Sequence, residues 1–324
     1  MKTPAELLEL FNTHLTNLPL DRKPEGLYTP VRYELSLGGK RIRPVLMLLA
    51  YQLYHDNVEA IMSTALGIEM YHNYTLLHDD VMDRADMRRG KPTVHKVWND
   101  NTAILSGDAM LVLAYQLMSD VEQQQLPAVL QRFTETALEI GEGQQMDMEF
   151  EQRMDVTEQE YIEMIRLKTS VLLACALEIG AIRADAPESD RKALYDFGQY
   201  LGLAFQLQDD LLDVYGDPKT FGKQIGGDIL CNKKTFMLIN ALAKADAAQR
   251  AELEHWLNTT DTQPQEKIKA VTEIYNTIGI RKLAEERINQ YFDKALEQIE
   301  ILGVDNDKKQ SLYALAHSLM GRKS

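Results

Sequence analysis

The sequence predicts an all-α fold, a single-domain helical bundle. Apolar residues recur at helical spacing through most of the chain, alternating strand patterns bounded by Asn-Gly or Asp-Gly turns are missing, and the breaks between helical stretches are short. The first helix is signalled by Thr3 as cap, Pro4 at the first helical position and Glu6 completing a capping box, with Leu7, Leu8, Phe11 and Leu15 on one face. A break covers Leu18 to Pro30. Further breaks fall at Ala184 to Asp190, Gly216 to Gly227 and Asn258 to Pro264. Between them runs a Pro- and Gly-free segment, Tyr71 to Asp83. Near the end, Ile268, Val271, Tyr275 and Ile278 form one stripe, and after Gly279 a second follows with Ala284, Ile288, Tyr291, Phe292 and Ala295. None of the breaks has the length or composition of a linker, so residues 1–324 are expected to form one domain.

The 324 residues carry a formal net charge of −14. That balance argues against general nucleic-acid binding, which needs a positive field, while leaving room for a local basic pocket. Cys175 and Cys231 are too few for a disulfide framework or a zinc site, which fits a reducing cytoplasm. The start of the chain lacks the basic and apolar stretches of a signal peptide. The richest apolar run, Pro44 to Tyr51, is too short to span a bilayer.

Chemistry concentrates in two acidic clusters of equal spacing. In Asp79-Asp80-Val81-Met82-Asp83, helical geometry of about 100° per residue puts His72, Asp79 and Asp83 near one stripe, with Asp80 beside it. In Asp209-Asp210-Leu211-Leu212-Asp213, the residues Gln206, Asp209, Asp210 and Asp213 fall on one face, and Leu211 and Leu212 read as core. Carboxylates so crowded persist beside a cation or a basic partner, and their oxygens suit a hard ion such as Mg²⁺. One such cluster alone is as well explained by a solvated acidic face; two of the same form are harder to explain that way.

Basic residues follow each cluster: Arg84, Arg88, Arg89 and Lys91 after the first, Lys223, Lys233 and Lys234 after the second. A third basic segment, Gly38-Gly39-Lys40-Arg41-Ile42-Arg43-Pro44, sets three cations beside a glycine break. It is not a nucleotide-binding phosphate loop, since Glu34 stands where Gly is required and Arg41 where Ser or Thr is. Lys168-Thr169 adds a charge and a hydroxyl within a helical stretch.

Taken in order, these segments resemble the all-helical trans-polyprenyl diphosphate synthases. The resemblance runs through Gly38 to Pro44, His72 to Gly90, Ser106-Gly107-Asp108, Gly143 to Asp147, Lys168-Thr169 and Phe205 to Asp228. It implies the isoprenoid synthase type I fold, a bundle around a central substrate cavity, in a homodimer. By the same resemblance, Lys40, Arg43, His72 and Arg89 would bind the diphosphate of isopentenyl diphosphate. Asp79, Asp83 and Asp209 would ligate Mg²⁺, three ions per site with Mn²⁺ as a possible substitute. Arg88, Lys168, Lys223 and Lys233 would contact the allylic diphosphate (dimethylallyl, geranyl or farnesyl). Thr169 and Gln206 would face the developing cation, so that Asp79, Asp209, Lys168, Thr169 and Gln206 form the implied catalytic set.

In this family the side chains just before the first motif form the floor of the product pocket. Here they are Tyr74 and Thr75, and Tyr74 lies about 7.5 Å along the helix from Asp79. A single aromatic there implies a C15 to C20 product of the geranylgeranyl or farnesyl type. The alternatives are a synthase of C30 to C40 chains, a non-catalytic subunit of a heteromeric synthase, a terpene cyclase and a helical structural protein. Subunits and cyclases tend to retain only one aspartate motif, and both stand here.

Overall fold

A computed structural model describes residues 1–217, 225–259 and 263–321, and among them the chain is helical almost throughout. The helices are α1 (Pro4–Thr16), α2 (Glu25–Ser36), α3 (Ile42–Gln52), α4 (Met62–Met82), α5 (Val94–Val97), α6 (Asp100–Met118), α7 (Leu126–Glu151) and α8 (Glu158–Ile165). They continue with α9 (Val171–Arg183), α10 (Glu188–Tyr215), α11 (Gly227–Leu230), α12 (Phe236–Lys244), α13 (Ala247–Asn258), α14 (Pro264–Ile278), α15 (Ile280–Glu300) and α16 (Asn306–Met320). Contacts divide the chain into two compact units. The first comprises residues 1–135, 175–194 and 303–312, the second 136–174, 195–302 and 313–324.

In the first unit the predicted capping box forms: the Thr3 hydroxyl accepts from the Glu6 amide, and Glu6 accepts from the Thr3 amide at 2.7 Å. Leu7 and Phe11 are fully buried. The apolar run read in the sequence becomes α3, in which every residue from Pro44 to Gln52 is buried; a helix apolar all round belongs inside a core. α4 packs against α3, α2, α1 and most extensively α6.

Two local expectations are corrected here. Pro30 lies inside α2 instead of ending the break before it. The only intrahelical bond its ring removes would run to Gly26, in the first turn, and the ring is buried in exchange. A short antiparallel hairpin also forms, β1 (Met87–Arg88) with β2 (Lys91–Pro92). Its turn is Arg89-Gly90, both with positive φ (53° and 76°), the geometry that matches the twist of paired strands. No Asn-Gly or Asp-Gly signal marks it in the sequence.

The second unit has its own core, in which Phe150, Tyr161, Leu207, Phe236 and Tyr275 are buried together. Gly279, at φ 83°, ends α14 and starts α15, as the two sequence stripes require. Between α8 and α9, residues Arg166–Ser170 form one turn of π-helix, closed by Val171 N–H donating to the Arg166 carbonyl. Two glycines make room for this wider turn. A methyl group at Gly143 of α7 would stand 2.5 Å from the backbone nitrogen of Lys168, and one at Gly202 of α10 would stand 2.6 Å from Ser170 Cα. Both obstacles are backbone and have little freedom to yield.

Gly202→Ala is therefore expected to destabilise the protein by about 1–3 kcal/mol through overpacking. Urea unfolding measures it, and a stability equal to wild type would show that α10 does not need the close approach.

Candidate active site

The candidate side chains of the first unit gather around the end of α4 and the loop before α3. Gly38 and Gly39 hold φ of 88° and 132°, and Arg41 is itself left-handed at 50°. This backbone turns the three cations of the segment in different directions. Arg41 goes inward: it is 6% exposed, donates to Glu69 at 2.7 Å and to the Leu35 carbonyl at 2.7 Å. Lys40 stays exposed. Arg43 donates to His72 Nε2 at 3.1 Å. Because an arginine can only donate, Nε2 of His72 is the acceptor. Burial, reinforced by Arg43 and Arg89, holds the His72 pKa well below its ordinary value, so the imidazole is neutral. Burial also lowers Arg43, to about 10, which leaves it charged at neutral pH.

Arg89 reaches the same place from the hairpin turn. It donates to the Gly38 carbonyl, and its guanidinium fills the space a side chain at Gly39 would take, with a Cβ only 2.9 Å away. Arg43, His72 and Arg89, three of the four residues expected to hold one diphosphate, thus converge on a single loop.

The three aspartates at the end of α4 do not share one environment. Asp80 is 2% exposed and takes both oxygens into a bidentate pair with Arg88, 2.7 Å to Nε and 2.7 Å to Nη2. Asp79 is half-buried and Asp83 exposed. Arg88, expected from the resemblance on a diphosphate, is thus held by Asp80. Burial alone would lower its pKa, but this pair raises it.

In the second unit the predicted acidic face of α10 divides in the same way. Asp210 is 4% exposed and accepts from the Tyr161 hydroxyl, from Gln206 Nε2 at 3.2 Å and from the Phe236 amide at 3.4 Å. Burial and the nearby Asp228 push its pKa up to about 7. Asp213 is buried and accepts from the Asp228 amide at 3.0 Å, while its carbonyl takes the Gly226 amide at 2.6 Å. It anchors the chain entering α11. Asp209 is half-buried. So Gln206, Asp209, Asp210 and Asp213 do not form one open face; two of the carboxylates are turned to internal donors.

The π turn presents Lys168 and Thr169. Lys168 donates to Asp147 at 2.7 Å, and Thr169 donates to Gln206 Oε1 at 3.3 Å. Burial would raise the Asp147 pKa, yet Lys233 and Lys168 together hold it below the usual carboxylate range. Lys233 is exposed, its amide bonded to the Asp228 carbonyl at 2.9 Å. Lys223 lies outside the described residues. Tyr161 and Asp147 received no role from the sequence. Each is bonded to a residue 49 or 21 positions away on another helix, a pairing that spacing along one helix does not reveal.

The donors offered to a metal are carboxylate oxygens. Among the described residues no group of three His, Cys, Asp or Glu side chains is close enough to hold an ion by itself. That donor set fits Mg²⁺, which uses one or two carboxylates and completes its octahedron with water and substrate phosphate.

The chain as a whole resembles several known proteins. The polyprenyl synthetase family model matches residues 24–275. A short chain isoprenyl diphosphate synthase of Methanocaldococcus jannaschii is 42% identical over 253 residues, 78% of this chain and 77% of that protein. A crystal structure of a geranylgeranyl pyrophosphate synthase superposes with a TM-score of 0.94 at 45% identity, covering 100% of both chains. The geranylgeranyl pyrophosphate synthase of Corynebacterium glutamicum, complexed with isoprenyl diphosphate and magnesium, superposes at 0.83 with 27% identity, covering 99% of this chain and 97% of that one.

One carboxyl near the arginines of the first unit stands apart. Glu34 is fully buried, and among the described residues neither of its oxygens has a hydrogen-bond partner. Burial and Asp80 raise its pKa to about 7, against the pull of Arg88, Arg89 and Arg41. A folded-state pKa above the unfolded value means that the native protein binds the extra proton. The associated stability is full below about pH 4.5 and is lost as pH rises through about 7. Replacement by Gln removes the ionisation. The unfolding free energy of Glu34→Gln relative to wild type is expected to rise by up to about 3 kcal/mol between pH 5 and pH 8. Denaturant titrations at the two pH values test this, and a pH-independent difference would contradict it.

Proposed function

The chain belongs to the polyprenyl synthetase family, and from that premise we propose that it joins isopentenyl diphosphate head to tail to allylic diphosphates, giving linear prenyl diphosphates of C15 to C20. It is a prenyltransferase. The observation that carries the reading furthest is the convergence of Arg43, His72 and Arg89 on the Gly38-Gly39 loop, close to the aspartates at the end of α4.

Each residue set has a task. Lys40, Arg43 and Arg89 hold the diphosphate of isopentenyl diphosphate. Neutral His72 adds a hydrogen bond without adding charge, its position fixed by Arg43. Asp79 and Asp83 at the end of α4, and Asp209 on α10, would supply carboxylate ligands for Mg²⁺, three ions with Mn²⁺ as substitute. When bound, the metal neutralises charge on the allylic diphosphate and so favours its departure. Lys168 and Lys233 add cations for that diphosphate; Lys168 is tethered by Asp147, and Lys233 lies near enough to lower the Asp147 pKa with it. Arg88, with its two bonds to Asp80, contributes field at the same end of α4. Thr169 and Gln206 offer oxygens to the allylic cation left behind. The double bond of isopentenyl diphosphate attacks that cation, and a proton then leaves to the released diphosphate. No nucleophilic Ser or Cys is needed; positioning and charge stabilisation do the work.

Product length is set on the wall of α4. The Tyr74 ring lies 4.8 Å from His78 and 5.4 Å from Tyr71, and burial together with Asp108 of α6 raises its hydroxyl pKa. It is held by two aromatic neighbours and stands one and a half turns before Asp79. Thr75 beside it bonds back to the His72 carbonyl at 2.8 Å. For assembly, α6 carries Ile104, Leu105 and Val112 exposed on one broad face, Leu105 at 60% and Val112 at 68%, which suits a homodimer contact. Among the described residues no helix is long and apolar enough to cross a membrane, and no disulfide joins the two cysteines. A cytoplasmic enzyme fits both.

The test is turnover of pure protein with Mg²⁺, isopentenyl diphosphate and C5, C10 or C15 primers. Diphosphate release with chromatographic products of C15 to C20 is expected, and no release with any primer would overturn the function. Tyr74→Ala should shift products to longer chains by at least one C5 unit. An unchanged product profile would remove Tyr74 from the floor of the pocket.

A further inference from the structure

Tyr161 lies outside every motif that led to the function, yet it sits at the inner end of a hydrogen-bonded chain that finishes at the reacting groups. The Tyr161 side chain is 2% exposed on α8, and its hydroxyl donates to Asp210 Oδ2. The same oxygen accepts the Phe236 amide at 3.4 Å. The other oxygen, Oδ1, accepts Gln206 Nε2 at 3.2 Å. With its amide nitrogen so engaged, Gln206 leaves its Oε1 on the side of Thr169, whose hydroxyl donates to it at 3.3 Å.

The direction of this chain matters because a glutamine amide is nearly symmetric in shape and opposite in charge at its two ends. Oxygen toward a carbocation stabilises it, and NH₂ toward the same cation repels it. Thr169 cannot choose between them, since a hydroxyl both donates and accepts. Asp210 can: its carboxylate only accepts, and with Oδ2 taken by Tyr161 and the Phe236 amide, Oδ1 is the oxygen offered to the Gln206 amide nitrogen. We propose that Tyr161 is a positioning residue for the prenyl transfer: by pinning Asp210 it orients the Gln206 amide so that its oxygen, with that of Thr169, faces the allylic cation. This rests on the prenyltransferase reading and deepens it. Asp210 is then an orienting group, distinct in task from its neighbour Asp209.

The decisive variant is Tyr161→Phe, which removes one oxygen and keeps the ring. Two ligands separate orientation from mere support: an allylic thiolodiphosphate with a neutral tail, and an ammonium analogue of the allylic cation bound with diphosphate, each with Mg²⁺. The expected result is an affinity for the ammonium analogue reduced about 10-fold, with the thiolodiphosphate and the KM for isopentenyl diphosphate changed less than about 2-fold. The kcat should fall between about 10- and 100-fold. Asp210→Asn, which can turn an NH₂ toward Gln206, should give the same selective loss and serves if Tyr161→Phe does not fold. Wild-type ammonium affinity in the folded variant, or an equal loss for both ligands with a lowered Tm, would overturn the proposal. Binding needs no turnover, so a wild-type enzyme that releases no diphosphate would refute the prenyltransferase reading separately.

Discussion

The second unit depends on the wide turn at Arg166–Ser170 and on how closely two helices approach it. The π turn carries two consecutive polar side chains, Lys168 and Thr169, each bonded to a different helix, α7 and α10. Gly143 and Gly202 let α7 and α10 touch that backbone directly. One helical turn beyond each glycine stands the residue that bonds the turn's side chains, Asp147 for Lys168 and Gln206 for Thr169. The spacing is no coincidence of contact. A side chain four residues on lies over the same face as the glycine, so close approach at one level brings the partner within hydrogen-bond reach at the next.

The second carboxylate of each aspartate motif plays a part that equal spacing conceals. Asp80 is saturated by Arg88 and Asp210 by Tyr161, Gln206 and Phe236. A buried carboxylate without partners would be costly, and bidentate or multiple donors offset that cost. Each motif is therefore divided between carboxylates left for a hard cation and carboxylates turned inward: Asp80 alone in the first, Asp210 and Asp213 in the second. The two solutions differ: a charged arginine from a hairpin in one unit, a neutral tyrosine from a neighbouring helix in the other.

The helical class was legible because a period of 3.6 runs through nearly every segment, and the capping box at Thr3 and the break at Gly279 follow from local chemistry alone. The hairpin at Met87 to Pro92 was not, since its turn uses Arg89 in a left-handed conformation that residue type does not announce. Pro30 misled for a similar reason: a proline one turn into a helix removes a bond that the sequence alone counts as a break. At the site, residue types and local faces marked both aspartate clusters, and only the resemblance singled out Asp79, Asp83 and Asp209 as metal ligands. Which of the six clustered carboxylates turn inward depends on Arg88, Tyr161 and the Asp228 amide, partners on other elements. Helical angles gave Asp210 the same face as Asp209, and burial separated them.

A chain of net charge −14 can still hold a dense cationic pocket because the charge is compensated in layers. Arg41 is neutralised by buried Glu69 and Arg88 by buried Asp80. Arg43 faces a neutral imidazole, and Arg89 faces a backbone carbonyl. The two arginines with carboxylate hydrogen-bond partners are structural in position, while Arg43 and Arg89 bond to an imidazole and a carbonyl and feel Glu69 only through its field. That arrangement leaves the hydrogen-bonded charge of Arg43 and Arg89 uncancelled by a paired carboxylate, whereas Arg41 and Arg88 are paired. Glu34 completes the pattern: buried between the two compensated pairs, it is the one acid in this region whose charge the local field does not fully support. Its neutral form keeps the positive potential of Arg43 and Arg89 intact, so the proton on Glu34 and an anion on the loop favour each other. The same low-dielectric surroundings that make an ionised Glu34 expensive make the field at the loop strong.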